Sequence, residues 1–389
     1  MRVTHIITRL VVGGAQENTV ASVLGLRQKP GVDVHLLSGP TTGPEGSIES
    51  ELAGTPEILT RVPELVRPVH PLKDWLALRR LENILRQQKP DIVHTHSGKA
   101  GILGRLAARR AGVPVIIHHI HGPSFGPFQG WPANWIFSAA ERYAAGATTH
   151  FVCSAQAMAR RYLAAGIGRP EMYTRIFSGF PVEPFVNATN DPALRARLGL
   201  DENHFVIGKI ARLFKLKGHA DLLAAFQKIL PQIPQARLLL IGDGTLRKEI
   251  ENQVRALGIQ DKVIFTGLIP PGEVPRYVGI MDCLAHLSAR EALSRALPQA
   301  LAAGKPVIAY DFDGADEVCL EGETGFLVRT GDTAAVAQRL LQLANDAPLR
   351  ARLGRRGQQF VRANFTVEQM VDTLYHLYLK LAAERGIRL

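Results

Sequence analysis

Arg212, Lys217, Glu291 and a run of histidines each follow a short apolar stretch, where side chains can act on a bound ligand. After the apolar stretch 206–211 comes Arg212-Leu213-Phe214-Lys215-Leu216-Lys217-Gly218-His219. A guanidinium grips two oxygens in one plane and an ammonium acts as a mobile point charge, so Arg212 and Lys217 are suited to clamping a diphosphate. Near the start, Val12-Gly13-Gly14-Ala15-Gln16 leads into a helical pattern. Two residues without Cβ let the backbone approach a ligand, and free N–H groups at a helix start attract an anion. Ile117-His118-His119-Ile120-His121-Gly122-Pro123 closes another apolar run with three histidines. An imidazole there can hydrogen-bond a hydroxyl or stabilise developing charge. Zinc is the other reading of this run and of His94-Thr95-His96. No carboxylate or cysteine cluster accompanies either group, so no metal is expected. The GxGxxG pattern is absent, which speaks against a nicotinamide enzyme.

The elements that must position these residues alternate. In the first half, 3–7, 32–37, 92–94, 115–118 and 150–153 read as strands, and 16–27, 76–88 and 99–111 carry helical spacing. A proline-punctuated stretch, Phe180-Pro181-Val182-Glu183-Pro184-Phe185, reads as a linker and hinge. The pattern then restarts, with strands at 206–211, 237–241, 263–266, 283–286 and 307–310. Helices are expected at 220–230, 245–257, 275–279, 297–303 and 333–345, and a last one at about 367–384. Strands alternating with helices argue for two α/β units, each with a parallel sheet. Ligands of such sheets bind beyond the carboxyl ends of the strands, where the residues above fall.

The most informative segment runs from Ser288 through Arg290-Glu291-Ala292-Leu293-Ser294-Arg295 to Gln299 and Gly304-Lys305-Pro306-Val307. It resembles the retaining GT-B glycosyltransferases of family 4, which carry a glutamate, seven residues and a second glutamate, then a glycine-proline turn into a strand. Arg212 with Lys217-Gly218, Leu239-Leu240-Ile241-Gly242-Asp243-Gly244, Val263-Ile264-Phe265-Thr266-Gly267 and Glu321-Gly322-Glu323-Thr324-Gly325-Phe326-Leu327-Val328 match in order. The resemblance spans nearly the whole chain. It implies a GT-B fold of two tandem Rossmann-like domains with a deep interdomain cleft. Residues 1–183 would be the acceptor domain, joined by a C-terminal helix (367–389) packing back, and 184–366 the nucleotide-sugar domain. The implied reaction moves a sugar from a nucleoside diphosphate, UDP before GDP, to a glycan, lipid-linked or small-molecule acceptor with retention. Cell-surface polysaccharide or glycolipid synthesis is the implied setting.

By the same resemblance Arg212 and Lys217 stabilise the leaving diphosphate, and Glu291 holds sugar hydroxyls. The backbone of Ala292, Leu293, Ser294 and Arg295, opening a helix, faces the distal phosphate. Gln299 holds the ribose, and Gly267, Leu268 and Ile269 meet the nucleobase. Gly13 and Gly14 approach the donor phosphate or the acceptor. His121, or secondly His118, stands beside the reacting carbon. Two positions depart from the pattern: Ala292 replaces a glycine, and Gln299 replaces the second glutamate, accepting hydrogen bonds less strongly than a carboxylate. Asp311-Phe312-Asp313 mimics the metal-binding DxD of another glycosyltransferase fold. The resemblance implies catalysis without metal or other cofactor, so this stretch reads as a loop.

The 389 residues carry a formal charge of +11, and residues 1–180 hold 20 Lys/Arg against 12 Asp/Glu. A basic surface suits a phosphorylated ligand or anionic lipid. Aromatics are only 6%, and no nucleic-acid module is present, so nucleic acid is not an expected partner. Lys99, Arg105, Arg109 and Arg110 on the helix at 99–111, with Phe125, Phe128, Trp131 and Trp135, form a possible anionic-membrane contact; solvated charges over a sheet-packed helix are the alternative. Three scattered cysteines and no membrane-length apolar stretch lead to a cytoplasmic expectation, with peripheral contact at the inner face of the plasma membrane. A sugar-nucleotide 2-epimerase of the same fold and a catalytically weak sugar-nucleotide- or polysaccharide-binding protein are the alternative functions.

Overall fold

The computed structural model of the chain describes residues 1–42, 46–126 and 128–387. It divides into two compact units, Met1–Phe180 with Val367–Leu389, and Pro181–Thr366. The first unit runs β1 (Arg2–Ile7), α1 (Gly14–Arg27), β2 (Asp33–Ser38), β3 (Leu59–Arg61), α2 (Pro71–Gln88), β4 (Ile92–His96), α3 (Gly98–Arg110), β5 (Val115–Ile120), α4 (Trp131–Ala145), β6 (His150–Cys153), α5 (Gln156–Ala164) and β7 (Tyr173–Arg175). The second runs α6 (Glu183–Val186), α7 (Pro192–Arg197), β8 (Phe205–Ile210), α8 (His219–Ile229), β9 (Ala236–Ile241), α9 (Arg247–Ala256), β10 (Val263–Gly267), α10 (Val274–Gly279), β11 (Cys283–His286), α11 (Ala296–Ala302), β12 (Val307–Tyr310), β13 (Gly325–Val328), α12 (Thr333–Asn345) and α13 (Ala347–Asn364). The chain then returns to the first unit as α14 (Val367–Glu384).

Each unit is a fully parallel sheet, ordered β3-β2-β1-β4-β5-β6-β7 in the first and β10-β9-β8-β11-β12-β13 in the second. Both orders reverse direction beside their first strand, so the βα loops on either side of β1 and β8 diverge and leave room for a ligand. Strands such as β4, β5, β11 and β12 are buried at every position, as a sheet covered on both faces requires. On one face of the first sheet, Val3, Ile7, Ile92 and Ile117 pack with α1 and with Met370, Leu374 and Leu381 of α14. On the other, Ile6, Val93 and Ile116 pack with α2 and α3. α14 therefore belongs to the first core; residues 388–389 lie outside the described residues.

Strands β4 and β5 run two residues longer than the sequence pattern indicates, which carries His96 and His119 into the sheet. The first helix also starts earlier, at Gly14. Trp131 and Trp135 lie on helix α4, which opens at Trp131; Pro127 lies outside the described residues.

Candidate active site

In the second unit, the turn after β8 is held tightly. Gly218 caps α8 at φ +66, and a Cβ there would meet the Leu287 carbonyl oxygen at 1.9 Å, so only glycine fits. The same holds at Gly242 (φ +128), where a Cβ would lie 2.2 Å from the Ala211 carbonyl oxygen. These contacts draw the loops after β8, β9 and β11 together. His219 Nε2 donates to the Arg212 carbonyl at 3.1 Å and fixes the course of the first loop. Its burial, with the cations Lys209 and Lys217 nearby, depresses its pKa to about 4 and keeps it neutral.

Lys217 and Glu291 meet. The Lys217 ammonium donates to Glu291 Oε1 and, at 3.2 Å, to the Arg290 carbonyl. Ser288 Oγ donates to the same carboxylate oxygen at 3.3 Å, and His286 Nε2 lies 3.7 Å from it. Arg212 stands apart, exposed, with its guanidinium 4.9 Å above the Phe214 ring. Asp313, from the stretch read as a plain loop, supports this site: its carboxylate accepts from the Glu291 N–H at 3.0 Å, and the Gly314 N–H donates to the Ala292 carbonyl at 3.1 Å. Asp313 adopts a left-handed φ of 53°, a conformation aspartate tolerates better than most residues.

Beneath the Lys217–Glu291 pair sits Lys209 on β8, 1% exposed, with no hydrogen-bond partner for its amine. Burial pushes its pKa down to about 7; Lys217 adds to the fall, and Glu291 and Asp221 oppose it. His286, also buried, is held well below the usual histidine range by desolvation and then by Lys209 and Lys217. Nothing in the motif pattern pointed to these two residues. The readable signal was a lysine in the strand 206–211 whose neighbours are all apolar or glycine.

The other residues expected to bind the donor lie on further loops and on α11 of the same unit. Gly267 ends β10 at φ +70, Leu268 is 67% exposed and Ile269 half-buried. Gln299 lies half-buried on α11. Helix α11 opens at Ala296, so Ala292, Leu293 and Ser294 lie in the loop ahead of it and Arg295 is its cap; the expected helix start at 292–295 is corrected by these few residues. The Ala292 methyl is accommodated in the interior, 3% exposed.

In the first unit, Gly14 is exposed at the start of α1 and Gly13 caps it with no side-chain bond. Gly13 has extended backbone, and a Cβ would meet only the movable Gln16 side chain at 2.9 Å, so its geometry does not by itself demand glycine. The parallel register pairs His5 with His94 and His96 with His119. With a side-chain period of two, all four point to one face, where His121 and Tyr378 join them. His118 points to the other face, bonded to Thr95 Oγ1 at 3.0 Å. His121 thus stands with the cluster and His118 does not. Burial holds His121 at a pKa of about 3 and His96 and His119 well below the ordinary value. The trios His5, His94, His96 and His96, His119, His121 each bring ring nitrogens within 4.8 Å, joining the two histidine groups for which zinc was set aside and adding His5 to them. Two concavities within the separate units, of about 520 Å³ by Pro40 and Arg61 and about 300 Å³ by Asn187 and Arg276, contain none of these residues.

Comparison with known proteins gives this geometry a family. The family profile "Glycosyl transferases group 1" matches residues 190–360, and "Glycosyl transferase 4-like domain" matches 13–176. The chain is 30% identical over 317 residues to a Bacillus subtilis protein named as glycosyltransferase EpsD, covering 78% of this chain and 81% of that one. It belongs to the GT4-type glycosyltransferases of the GT-B fold. An Escherichia coli UDP-Gal:alpha-D-GlcNAc-diphosphoundecaprenol alpha-1,3-galactosyltransferase is 27% identical over 328 residues, 83% of this chain and 84% of that one. In fold, the chain matches HepE of Anabaena, crystallised with UDP, at a TM-score of 0.82 and 23% identity, over 98% of this chain and all of that one.

As a GT4-type glycosyltransferase the chain is a transferase, and its basic helix needs correction. Arg105 of α3 is wholly buried, its guanidinium paired with the equally buried Glu141 of α4 at 2.6 Å and bonded to the Gly101 carbonyl. Lys99 is mostly buried and pairs with Asp74 at 2.5 Å, and Phe125 is in the interior. Only Arg109 and Arg110 of that helix are exposed. No helix among the described residues is long and apolar enough to cross a membrane, and the three cysteines are free and buried.

Proposed function

We propose that this glycosyltransferase transfers a sugar from a UDP-sugar, with retention of configuration and without a metal, to a lipid-linked or glycan acceptor. The observation that carries the donor reading is the Lys217–Glu291 pair at the carboxyl ends of β8 and β11, held by glycine-tight turns beside the exposed Arg212. An arriving diphosphate competes for the Lys217 ammonium and adds the Arg212 guanidinium, while the carboxylate released from Lys217 turns to the sugar hydroxyls. Charge developing on the leaving diphosphate is then met by two cations already in place. Gln299 holds the ribose, Gly267, Leu268 and Ile269 the base, and the loop 292–295 the distal phosphate. In the other unit, the neutral His121 takes a sugar hydroxyl, and the open start of α1 at Gly14 takes an anionic part of donor or acceptor. UDP is favoured because HepE, alike over the whole chain, is crystallised with UDP and with UDP-glucose.

The lipid-linked acceptor is favoured by the diphosphoundecaprenol acceptor named for the Escherichia coli relative. It also fits the surface of the first unit. Apart from Val69, Leu216 and Leu268, every large hydrophobic side chain exposed among the described residues lies on α4 or in the first turns of α2. Trp131, Trp135, Ile136 and Tyr143 stand out on α4, and Leu72 and Trp75 on α2 beside the exposed Lys73, Arg79 and Arg80. Aromatic and aliphatic tips among basic heads suit the interface of an anionic membrane.

A thermal-shift screen against UDP, GDP, ADP and their sugar conjugates, with and without EDTA, tests the donor reading. A ligand at a hundred times its dissociation constant stabilises the fold by about 2.7 kcal/mol. The expected result is a shift with UDP and UDP-sugars alone, unchanged by EDTA and lost in Arg212→Ala. No shift with any nucleotide refutes the donor site.

A further inference from the structure

The histidines of the first unit form one hydrogen-bonded chain that ends on the C-terminal helix. His121 Nε2 lies 2.9 Å from His96 Nδ1, and His96 Nε2 lies 2.9 Å from His5 Nδ1. His5 Nε2 lies 3.3 Å from the Tyr378 hydroxyl, which is 2.5 Å from His94 Nδ1. His5, His94, His96 and Tyr378 are all buried. Desolvation holds the imidazoles in their neutral form, His5 and His121 at about 3 and His94 and His96 well below the ordinary value.

A neutral imidazole has one N–H and one bare nitrogen, so each ring in such a chain dictates the tautomer of the next. The phenol hydroxyl has a single proton, so it donates to only one of its two neighbours. Its short contact to His94 Nδ1 marks that ring as the acceptor, since O–H donors make the shorter bonds. Tyr378 therefore accepts from His5 Nε2–H at the longer distance. It follows that His5 Nδ1 accepts from His96 Nε2–H, and His96 Nδ1 accepts from His121 Nε2–H. His121 Nδ1 is left as a bare lone pair.

We propose that Tyr378, His5 and His96 are positioning residues that hold His121 in its Nε2–H tautomer, so that it meets a sugar hydroxyl as an acceptor through Nδ1. The inference rests on the reading of His121 as the sugar-side histidine. A hydroxyl that donates to a bare nitrogen keeps electron density on its own oxygen, which favours positive charge developing at a nearby carbon. The ring geometry fits a chain of imidazoles better than a metal centre. His119 and His121 are stacked 3.9 Å apart at 16°, so their in-plane lone pairs cannot converge on one ion. His5 and His96 are nearly parallel (15°) and joined edge to edge at hydrogen-bond distance. Neither trio includes a carboxylate to balance an ion's charge.

Protein labelled with 15N only in histidine tests this directly, because protonated and bare ring nitrogens give separate signals in long-range proton–nitrogen spectra. His121 is assigned by its loss in His121→Asn. The wild type is expected to show His121 bare at Nδ1 and protonated at Nε2. Tyr378→Phe, which keeps the ring and removes the hydroxyl, is expected to move both signals toward their average. In the same variant kcat falls by up to about tenfold, the worth of one hydrogen bond, while the UDP-induced thermal shift is unchanged. His5→Leu interrupts the chain at its middle and should release His121 in the same way if Tyr378→Phe does not fold. A wild-type His121 protonated at Nδ1, spectra identical in wild type and Tyr378→Phe, or stoichiometric zinc in the purified protein overturns the proposal. The tautomer is read without any nucleotide, so its failure is separate from failure of the donor reading.

Discussion

Replacing Lys209 by methionine should make the protein more stable at neutral pH, by an amount that disappears as the pH rises. The amine is buried on β8 with no hydrogen-bond partner, and its pKa falls from 10.5 in the unfolded chain to about 7 in the fold. At about 1.4 kcal/mol per pH unit, the charged amine is about 5 kcal/mol less stable inside the fold than outside. Between pH 7 and 10.5 the unfolded chain binds a proton that the folded one does not, so this lysine makes stability rise with pH through that window. Its full penalty is present below pH 7 and is gone by about 10.5. Methionine keeps the unbranched stem and carries no charge. The difference between variant and wild type should therefore be about 4 kcal/mol at pH 7 and shrink by about 1.4 kcal/mol per pH unit above it. Urea unfolding of both proteins at a series of pH values from 6 to 10 measures this, because ionisations shared by the two cancel. Parallel stability curves across that range would refute the argument and place a counter-charge or water on the amine.

The other predictions concern the ion pairs and the surface. Glu291→Gln frees Lys217, so nucleotide affinity measured by calorimetry should hold or rise while sugar transfer falls at least a hundredfold, roughly the loss of one transition-state contact. Equal losses in both would show that the pair serves only to shape the loop. Glu141→Ala strands the buried Arg105 guanidinium and should cost about 3–5 kcal/mol in a denaturation experiment; a change under 1 kcal/mol would mean that Arg105 reaches solvent. Trp131→Ser with Trp135→Ser should abolish sedimentation with vesicles of anionic lipid and leave the UDP-induced thermal shift intact. Undiminished sedimentation would remove α4 from the membrane contact.

Much of the architecture was legible because apolar runs and helical spacing are local. Among the described residues, ten of the thirteen strands were expected from their apolar runs. Of the other three, β3 and β7 have three residues each, none of them buried, at sheet edges, while β13 (Gly325–Val328) is a buried apolar run that lies inside a matched motif and was not read as a strand. Helix α13 hid behind Gly354 and Gly357, poor helix formers in sequence. In the structure they let the helix approach the Gly304 carbonyl and Leu301, where a Cβ would clash at 2.0 and 2.6 Å. Arg105 looked like a surface cation because its partner, Glu141, lies 36 residues away on the next helix.

What the sequence by itself determined is the class of the protein. The order of strands and helices, the basic loop after β8, and the segment from Glu291 through Pro306 are all written in contiguous residues, and family membership followed from them. Only the tertiary structure decided which of these residues meet. The Lys217–Glu291 pair spans 74 positions, Lys209 becomes a buried amine only once β8 is covered on both faces, and the histidine chain joins His5 to Tyr378 across 373. Such contacts depend on strand register and on the return of the C-terminal helix, which are set by the packing of whole faces and leave no local pattern to read.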